Sequence, residues 1–275
     1  KGAWEGMYLY DLYSDASMPW EWAKELQKVA KEEGITLFSS PFDFSSIEFL
    51  EKLNMPAYKI ASPEMIDLPF VRRVAQTGKP IIMSTGNATL SQIEEAVAIM
   101  VEENVEDFAI LKCTSEYPAP PSKINLKTIQ NLKDIFKCTV GLSDHTLGSA
   151  VPIASVGLGS SIIEKHFIVS RDNTTADSFF SATPDELKAI VDGAEMVYEA
   201  VGGISYPTEN KPQRSLIAIK EIKQGDELVN GENFKSLRPG GGIEPKYLDD
   251  VNKRKAEKNI KIGTLLSWDL ISKST

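Results

Sequence analysis

Phe108-Ala109-Ile110-Leu111-Lys112-Cys113-Thr114-Ser115-Glu116-Tyr117-Pro118 is the stretch whose reading decides the fold. A short apolar run passes directly into a lysine, hydroxyls and a carboxylate, and stops at a tyrosine and a proline. Continuous rather than alternating apolarity marks a strand buried on both faces, as in a parallel sheet covered by helices. The same figure returns at Ile35 to Phe38, Ala57 to Ala61, Pro80 to Ser84, Thr139 to Leu142 and Ser161 to Phe167. Helix-like stretches fill the gaps. Ser91 to Val101 carries Ile93, Ala96, Val97 and Met100 at helical spacing. Pro184 to Val201 has Thr183 as N-cap, Glu186 in capping-box position and Gly202 as its stop. Repeated βα units predict a (β/α) barrel of the TIM type. Six such units stand in the sequence, against the eight of a complete barrel. The expectation is therefore a barrel lacking its first two βα units in this chain, which opens on an aromatic-rich segment, Trp4 to Trp22. An open six-stranded sheet is the alternative.

Beyond Gly203 the βα rhythm ends. Ser215 to Ile219 and Leu228 to Val229 are short β-like runs, Gly240 to Gly242 is a glycine-rich turn, and a lysine-rich stretch follows. The expected organisation is a barrel domain over 1–202, a linker over 203–213 and a small domain over 214–275. The 275 residues are 42% hydrophobic and 25% charged, enough for a core and ordinary for a soluble protein. The net charge of −9 disfavours nucleic acid as a partner. Two cysteines, Cys113 and Cys138, make no disulfide framework, which suits a reducing cytoplasm. No apolar run is long enough to span a bilayer, and Lys1 to Leu9 lacks the pattern of a signal peptide.

Polar residues follow each run at its C-terminal end, where such barrels build their active sites. The ends read Ser39-Ser40-Pro41-Phe42-Asp43, Lys59-Ile60-Ala61-Ser62-Pro63-Glu64, Ser84-Thr85-Gly86, Thr114-Ser115-Glu116-Tyr117, Ser143-Asp144-His145-Thr146 and Glu164-Lys165-His166-Phe167. One such residue serves as a cap or turn; six sets in phase converge on one mouth. The only two histidines, His145 and His166, fall at the ends of consecutive predicted strands, flanked by Asp144 and Glu164. Each alone reads as a core or surface residue; together they suggest a divalent metal site. With no third histidine and no Cys-x-x-Cys, the sequence disfavours a closed structural zinc site, and an exchangeable Mn²⁺, Co²⁺ or Mg²⁺ fits better. Lys59, Ser62, Ser84, Ser143 and the Ser-Thr-Gly backbone could hold a phosphate. A nucleotide-binding Gly-x-x-x-x-Gly-Lys motif is absent, and Gly157 to Ser160 reads as a helix end.

At KIAS-x-E (59–64), STG (84–86), KCTSEYPAP (112–120), GLSDHT (141–146) and IIEKHF (162–167) the chain resembles the sialic acid synthase family. RSLIAIKEIKQGDELVNGENFKSLRPGGGIEPKYLDD (214–250) is similar to the antifreeze-like (SAF) domain of those enzymes. Within the family, LYDLYSDASMPWEW (9–22) and DSFFS (177–181) resemble the pseudaminate branch. The resemblance implies a transferase that condenses phosphoenolpyruvate with an N-acetylated hexose and releases phosphate. For the pseudaminate branch that hexose is 2,4-diacetamido-2,4,6-trideoxy-altrose; N-acetylneuraminate or legionaminate synthesis is the alternative. It further implies that Lys59, Ser62, Ser84, Ser115, Tyr117 and Ser143 contact phosphoenolpyruvate, with Ser40 nearby, and that His145 and His166 hold the metal. Glu64 becomes an acid/base candidate, and Glu164 and Asp177 face the sugar. Arg238 is implied to reach the sugar site of a partner subunit in a domain-swapped homodimer. Two sequence departures stand out: the loop Arg171 to Ala176 lacks the usual Gly-Pro before Asp177, and Val251-Asn252-Lys253-Arg254-Lys255-Ala256 replaces a Leu-Gly-Lys-Lys-Ala pattern. A truncated, non-catalytic sugar-binding or assembly protein is the reading from another class.

Overall fold

Five of the six apolar runs form strands in a computed structural model of the chain, which describes residues 6, 8–172, 175–209 and 211–273. These are β1 (Tyr58–Ile60), β2 (Ile81–Ser84), β3 (Phe108–Cys113), β4 (Thr139–Asp144) and β5 (Ile162–Lys165). They pair in parallel in the order β1-β2-β3-β4-β5. A doubly wound open sheet reverses its strand order at a switch point. Here the order runs on without reversal, and Lys59 of β1 reaches Glu164 of β5, with Nζ 3.4 Å from Oε2. The two edge strands therefore face one another, and the sheet curls as the wall of a TIM-type barrel does.

The sixth run is a correction. Ile35 to Phe38 forms no strand; the sheet is joined only at a single parallel bridge, Ser39 to Tyr58. Ile35 remains 67% exposed and Phe38 38%. Without cover on both sides, apolar character alone does not draw a segment into the ladder, and Pro41 removes a donor just beyond. Of the aromatic opening segment, Trp4 lies outside the described residues. Its later part forms helix α1 (Leu9–Ala16) and a short 3-10 turn at Trp20–Trp22, and helix α2 (Ala23–Glu32) follows.

Helices follow the strands as α3 (Phe44–Lys52), α4 (Leu68–Ala75), α5 (Leu90–Glu102), α6 (Lys127–Phe136), α7 (Ala150–Val156) and α8 (Pro184–Val201). Their starts are set locally. Asp43 accepts from the Ser46 amide at 2.6 Å, and capping boxes join Thr89 to Gln92 and Thr183 to Glu186. The core lies between sheet and helices, where Tyr58, Ile60, Met83, Met100 and Ile110 are almost fully buried.

The chain divides into two compact units, 1–202 and 203–275. In the second, β6 (Ser215–Ala218) pairs antiparallel with β7 (Phe234–Leu237) over a core of Leu216, Leu228, Phe234, Val251 and Leu266. Leu228 to Val229 is not a strand: Leu228 is buried in that small core, beside a lone bridge from Glu227 to Lys255. Helix α9 (Leu248–Val251) is followed by a turn in which Lys253 takes a φ of 70°. In the expected linker, Asn210 lies outside the described residues.

Candidate active site

Three strand ends meet at Gly86. It follows Ser84, the last residue of β2, with φ of 23°, a region that favours glycine. A Cβ on Gly86 would collide with Ser62, beyond β1, and come within 2.7 Å of Ser115 Oγ, beyond β3. The missing side chain is what lets the Ser-Thr-Gly turn lie between two serines. The Thr85 amide fixes that turn on the Leu111 carbonyl at 3.0 Å. Gly86→Ala is expected to cost about 1–3 kcal/mol in stability through overpacking. It should also push Ser62 and Ser115 apart and weaken anion binding. Calorimetric titration beside a melting curve checks both; unchanged binding would mean the serines hold no anion.

A charged chain crosses the mouth beside this turn. The Lys59 ammonium, 7% exposed, donates to the Ile60 carbonyl at 3.1 Å and pairs with Glu164. Ser143 donates to the other Glu164 oxygen at 2.7 Å. Ser84 is buried with no hydrogen-bond partner for its hydroxyl among the described residues. Glu64 has one carboxylate oxygen in the same condition. Burial pushes the Glu64 carboxyl above the usual range, only partly opposed by its own backbone and by Lys59. Orphaned buried groups of this kind are unusual, and a polar ligand within reach would complete their bonds. Ser40 follows the Ser39 bridge, half-buried.

The two histidines stand together on the neighbouring strand ends, ring centroids 5.3 Å apart. Tyr117 packs on His145 at 4.3 Å, and Phe180 packs on His166 at 4.8 Å. Each imidazole spends Nδ1 on the protein. His145 Nδ1 meets the Thr114 carbonyl at 2.9 Å, and His166 Nδ1 meets Asp177 Oδ2 at 3.1 Å. With Nδ1 so used, Nε2 is the nitrogen of each ring that could take a ligand, the arrangement usual for metal-bound histidine, and the His145 ring also meets the Cys113 thiol. Rings on one cation through bonds of about 2 Å have centroids roughly 5 Å apart, so the pair fits a shared ion. Among the described residues no three His, Cys, Asp or Glu side chains group as a closed metal cage. Two imidazoles completed by water or substrate are what the donor set offers.

Several participants escaped sequence reasoning. Cys113 was legible only as a free thiol. It is buried among His145, Ser62 and Ser143; burial raises its pKa, but those neighbours outweigh burial and bring it to about 7. Thr114 contributes a carbonyl, which no side-chain pattern reveals. Phe180 sits in a loop with nothing periodic around it, yet closes the aromatic wall. Asp144, weighed as a flank of the metal site, instead pairs with Lys165 at 2.7 Å on the other face of the sheet. Asp177 engages His166, while its loop residues 173 and 174 lie outside the described residues. Tyr117 is half-buried, and burial raises its hydroxyl to a pKa of about 12. Arg238 belongs to the second unit, exposed just past β7.

Residues 1–206 match the model of the NeuB family, and residues 213–272 that of the SAF domain. The chain is 42% identical to the pseudaminic acid synthase of Campylobacter jejuni, over 96% of this chain and 79% of that protein. It is 41% identical to that of Helicobacter pylori, over 98% and 82%. Among solved structures, the N-acetylneuraminic acid (sialic acid) synthetase of Leptospira borgpetersenii, in complex with citrate, is 31% identical. Its TM-score is 0.69, over 72% of this chain and 70% of that one.

Proposed function

Since the chain belongs to the NeuB family, we infer that it is a transferase condensing phosphoenolpyruvate with an acetamido hexose, releasing phosphate, as pseudaminic acid synthases do. The observation that carries this reading is the meeting of Lys59 with Glu164 across the sheet, beside the paired imidazoles. Anion-binding and carbonyl-handling groups thus share one mouth.

Lys59, Ser62, Ser84, Ser115 and Ser143 hold the enol phosphate, the lysine as charge and the hydroxyls as donors of fixed direction. Tyr117 shapes the wall against which the substrate lies. The methylene carbon forms the new bond to the sugar's aldehyde carbon. Water then adds at the phosphate-bearing carbon, and phosphate departs with cleavage of the carbon–oxygen bond. Glu64 in its ionised form, a stronger base because burial raises its carboxyl above the usual range, takes the proton from that water. Asp177 and Glu164 orient the sugar. His145 and His166 would hold Mn²⁺, Co²⁺ or Mg²⁺, a Lewis acid for the aldehyde oxygen when bound. Holding the reactants in line contributes much of the acceleration in such condensations. Arg238 acts in this reading from a second copy of the chain in a swapped dimer.

Phosphate release with the altrose-configured 2,4-diacetamido sugar, set against other acetamido hexoses, tests the reaction and the branch. Release with none of them overturns the proposal. Two narrower outcomes follow. Lys59→Ala should weaken phosphoenolpyruvate roughly tenfold or more by calorimetry and leave the sugar nearly unchanged, because a charged hydrogen bond to the phosphate is lost. Equal losses would make Lys59 structural. Mixing Arg238→Ala with His145→Ala subunits should restore activity, since a mixed dimer contains one intact site; no rescue despite subunit exchange removes Arg238 from the site.

A further inference from the structure

Lys112 lies next to the active-site residue Cys113, yet points away from the mouth. Successive residues of a strand face opposite sides of the sheet. Cys113 faces His145 and Ser62, so Lys112 faces the helices. It is only 7% exposed, and its ammonium donates to Thr114 Oγ1. Among the described residues no carboxylate pairs with it. Burial depresses its pKa, which measures the cost of keeping that charge with so little compensation. A lysine ammonium has three donors, and one neutral hydroxyl satisfies one of them.

A cavity of about 460 Å³ opens beside it. The β2–α5 turn at Gly86 and Asn87 forms one wall, and the β3–α6 connection with Lys123 and Asn125 forms another. Thr128, in the first turn of α6, completes it. The one carboxylate on the lining, Glu116, is already held by Lys123 at 2.7 Å, so among the described residues Lys112 is the charge on the lining without an ion pair, its nearest opposing group being the Cys113 thiol. Amides and hydroxyls around a buried cation are the donor set for a small oxyanion.

We propose that this cavity is a second anion site, distinct from the one at Lys59, that takes inorganic phosphate or an oxyanion of similar size on the Lys112 ammonium. The Ser-Thr-Gly turn lies between the two: Gly86 meets Ser62 and Ser115 on one side and lines this cavity on the other. An anion seated here touches the same backbone that shapes the active-site cradle. The choice of phosphate as occupant rests on the proposed reaction, which releases it; the site itself rests on Lys112.

The test needs no turnover, so it stands apart from any failure of the proposed reaction. Inorganic phosphate is titrated calorimetrically into intact protein carrying Lys59→Ala, which weakens the first site by removing its ammonium. Binding is expected to persist there and to weaken roughly tenfold or more when Lys112→Met is added, as expected for loss of a charged hydrogen bond. Asn125→Asp is the second variant. It lies at an exposed position with a φ of 51° that aspartate tolerates, so folding is preserved while a negative charge enters the rim. It should weaken phosphate as well. Absence of phosphate heat in Lys59→Ala, or equal affinity in all three backgrounds, overturns the proposal.

Discussion

His145→Ala is expected to lower turnover about a thousandfold, with His145→Gln nearly as damaging. Loss of carbonyl polarisation amounts to several kcal/mol of transition-state stabilisation, and each 1.4 kcal/mol or so is tenfold in rate. The alanine variant alone would not separate chemistry from packing. The ring is 5% exposed and lies against Tyr117 and Phe180, so its removal leaves a cavity. Glutamine keeps most of the volume and removes the imidazole. The check is turnover and melting temperature side by side for both variants, with direct titration of Mn²⁺ as a readout independent of activity. Near-normal turnover, or Mn²⁺ affinity unchanged in both variants, would remove His145 from the chemistry.

The second large effect concerns the fold beneath the site. Asp144 and Lys165 are opposite one another in the β4–β5 register, with side chains 0% and 4% exposed. Lys165 also donates to the Thr146 carbonyl, and Asp144 accepts from the Thr146 amide and hydroxyl at 3.1 Å each. Lys165→Met leaves a carboxylate buried without its cation, which costs about 3–5 kcal/mol. For a domain of this size that lowers the melting temperature by roughly 10 °C. Adding Asp144→Leu should return much of the loss, because a pair of buried charges replaced together by apolar groups is often neutral. Thermal or urea unfolding of the single and double variants decides. A single variant as stable as the parent would show that the pair contributes little.

The strands were legible where two-sided burial leaves a continuous apolar run, as at Phe108 to Cys113. They were not legible at Ile35 to Phe38, where identical residue types lie uncovered; hydrophobicity signals a wish for burial but not whether a neighbour supplies it. The site was legible as polar residues in phase at strand ends, which brings Lys59, Ser62, Ser84, Ser143, His145 and His166 to one side. Pairings across the sheet were not legible, because they depend on register and curl. Asp144 and Glu164 looked equivalent as flanks of the histidines, yet alternation sends one to Lys165 behind the sheet and the other to Lys59 in the mouth. Contributions from backbone and loops, at Thr114 and Phe180, leave no trace in residue type.

The two imidazoles differ in what holds them, and therefore in how fast they can turn. His145 is tied to a backbone carbonyl just past β3 and pressed under Tyr117, so it moves only as the sheet moves. His166 is one-third exposed and tied to a carboxylate on the loop after β5, whose partner side chain is 42% exposed. Side chains on loops rearrange within nanoseconds to microseconds, whereas packed strand ends wait for far slower openings. One ring is thus a fixed post and the other a pivot. Any molecule that competes for Asp177 releases the pivot without disturbing the post, so arrival of a ligand at the loop is written first into the motion of His166.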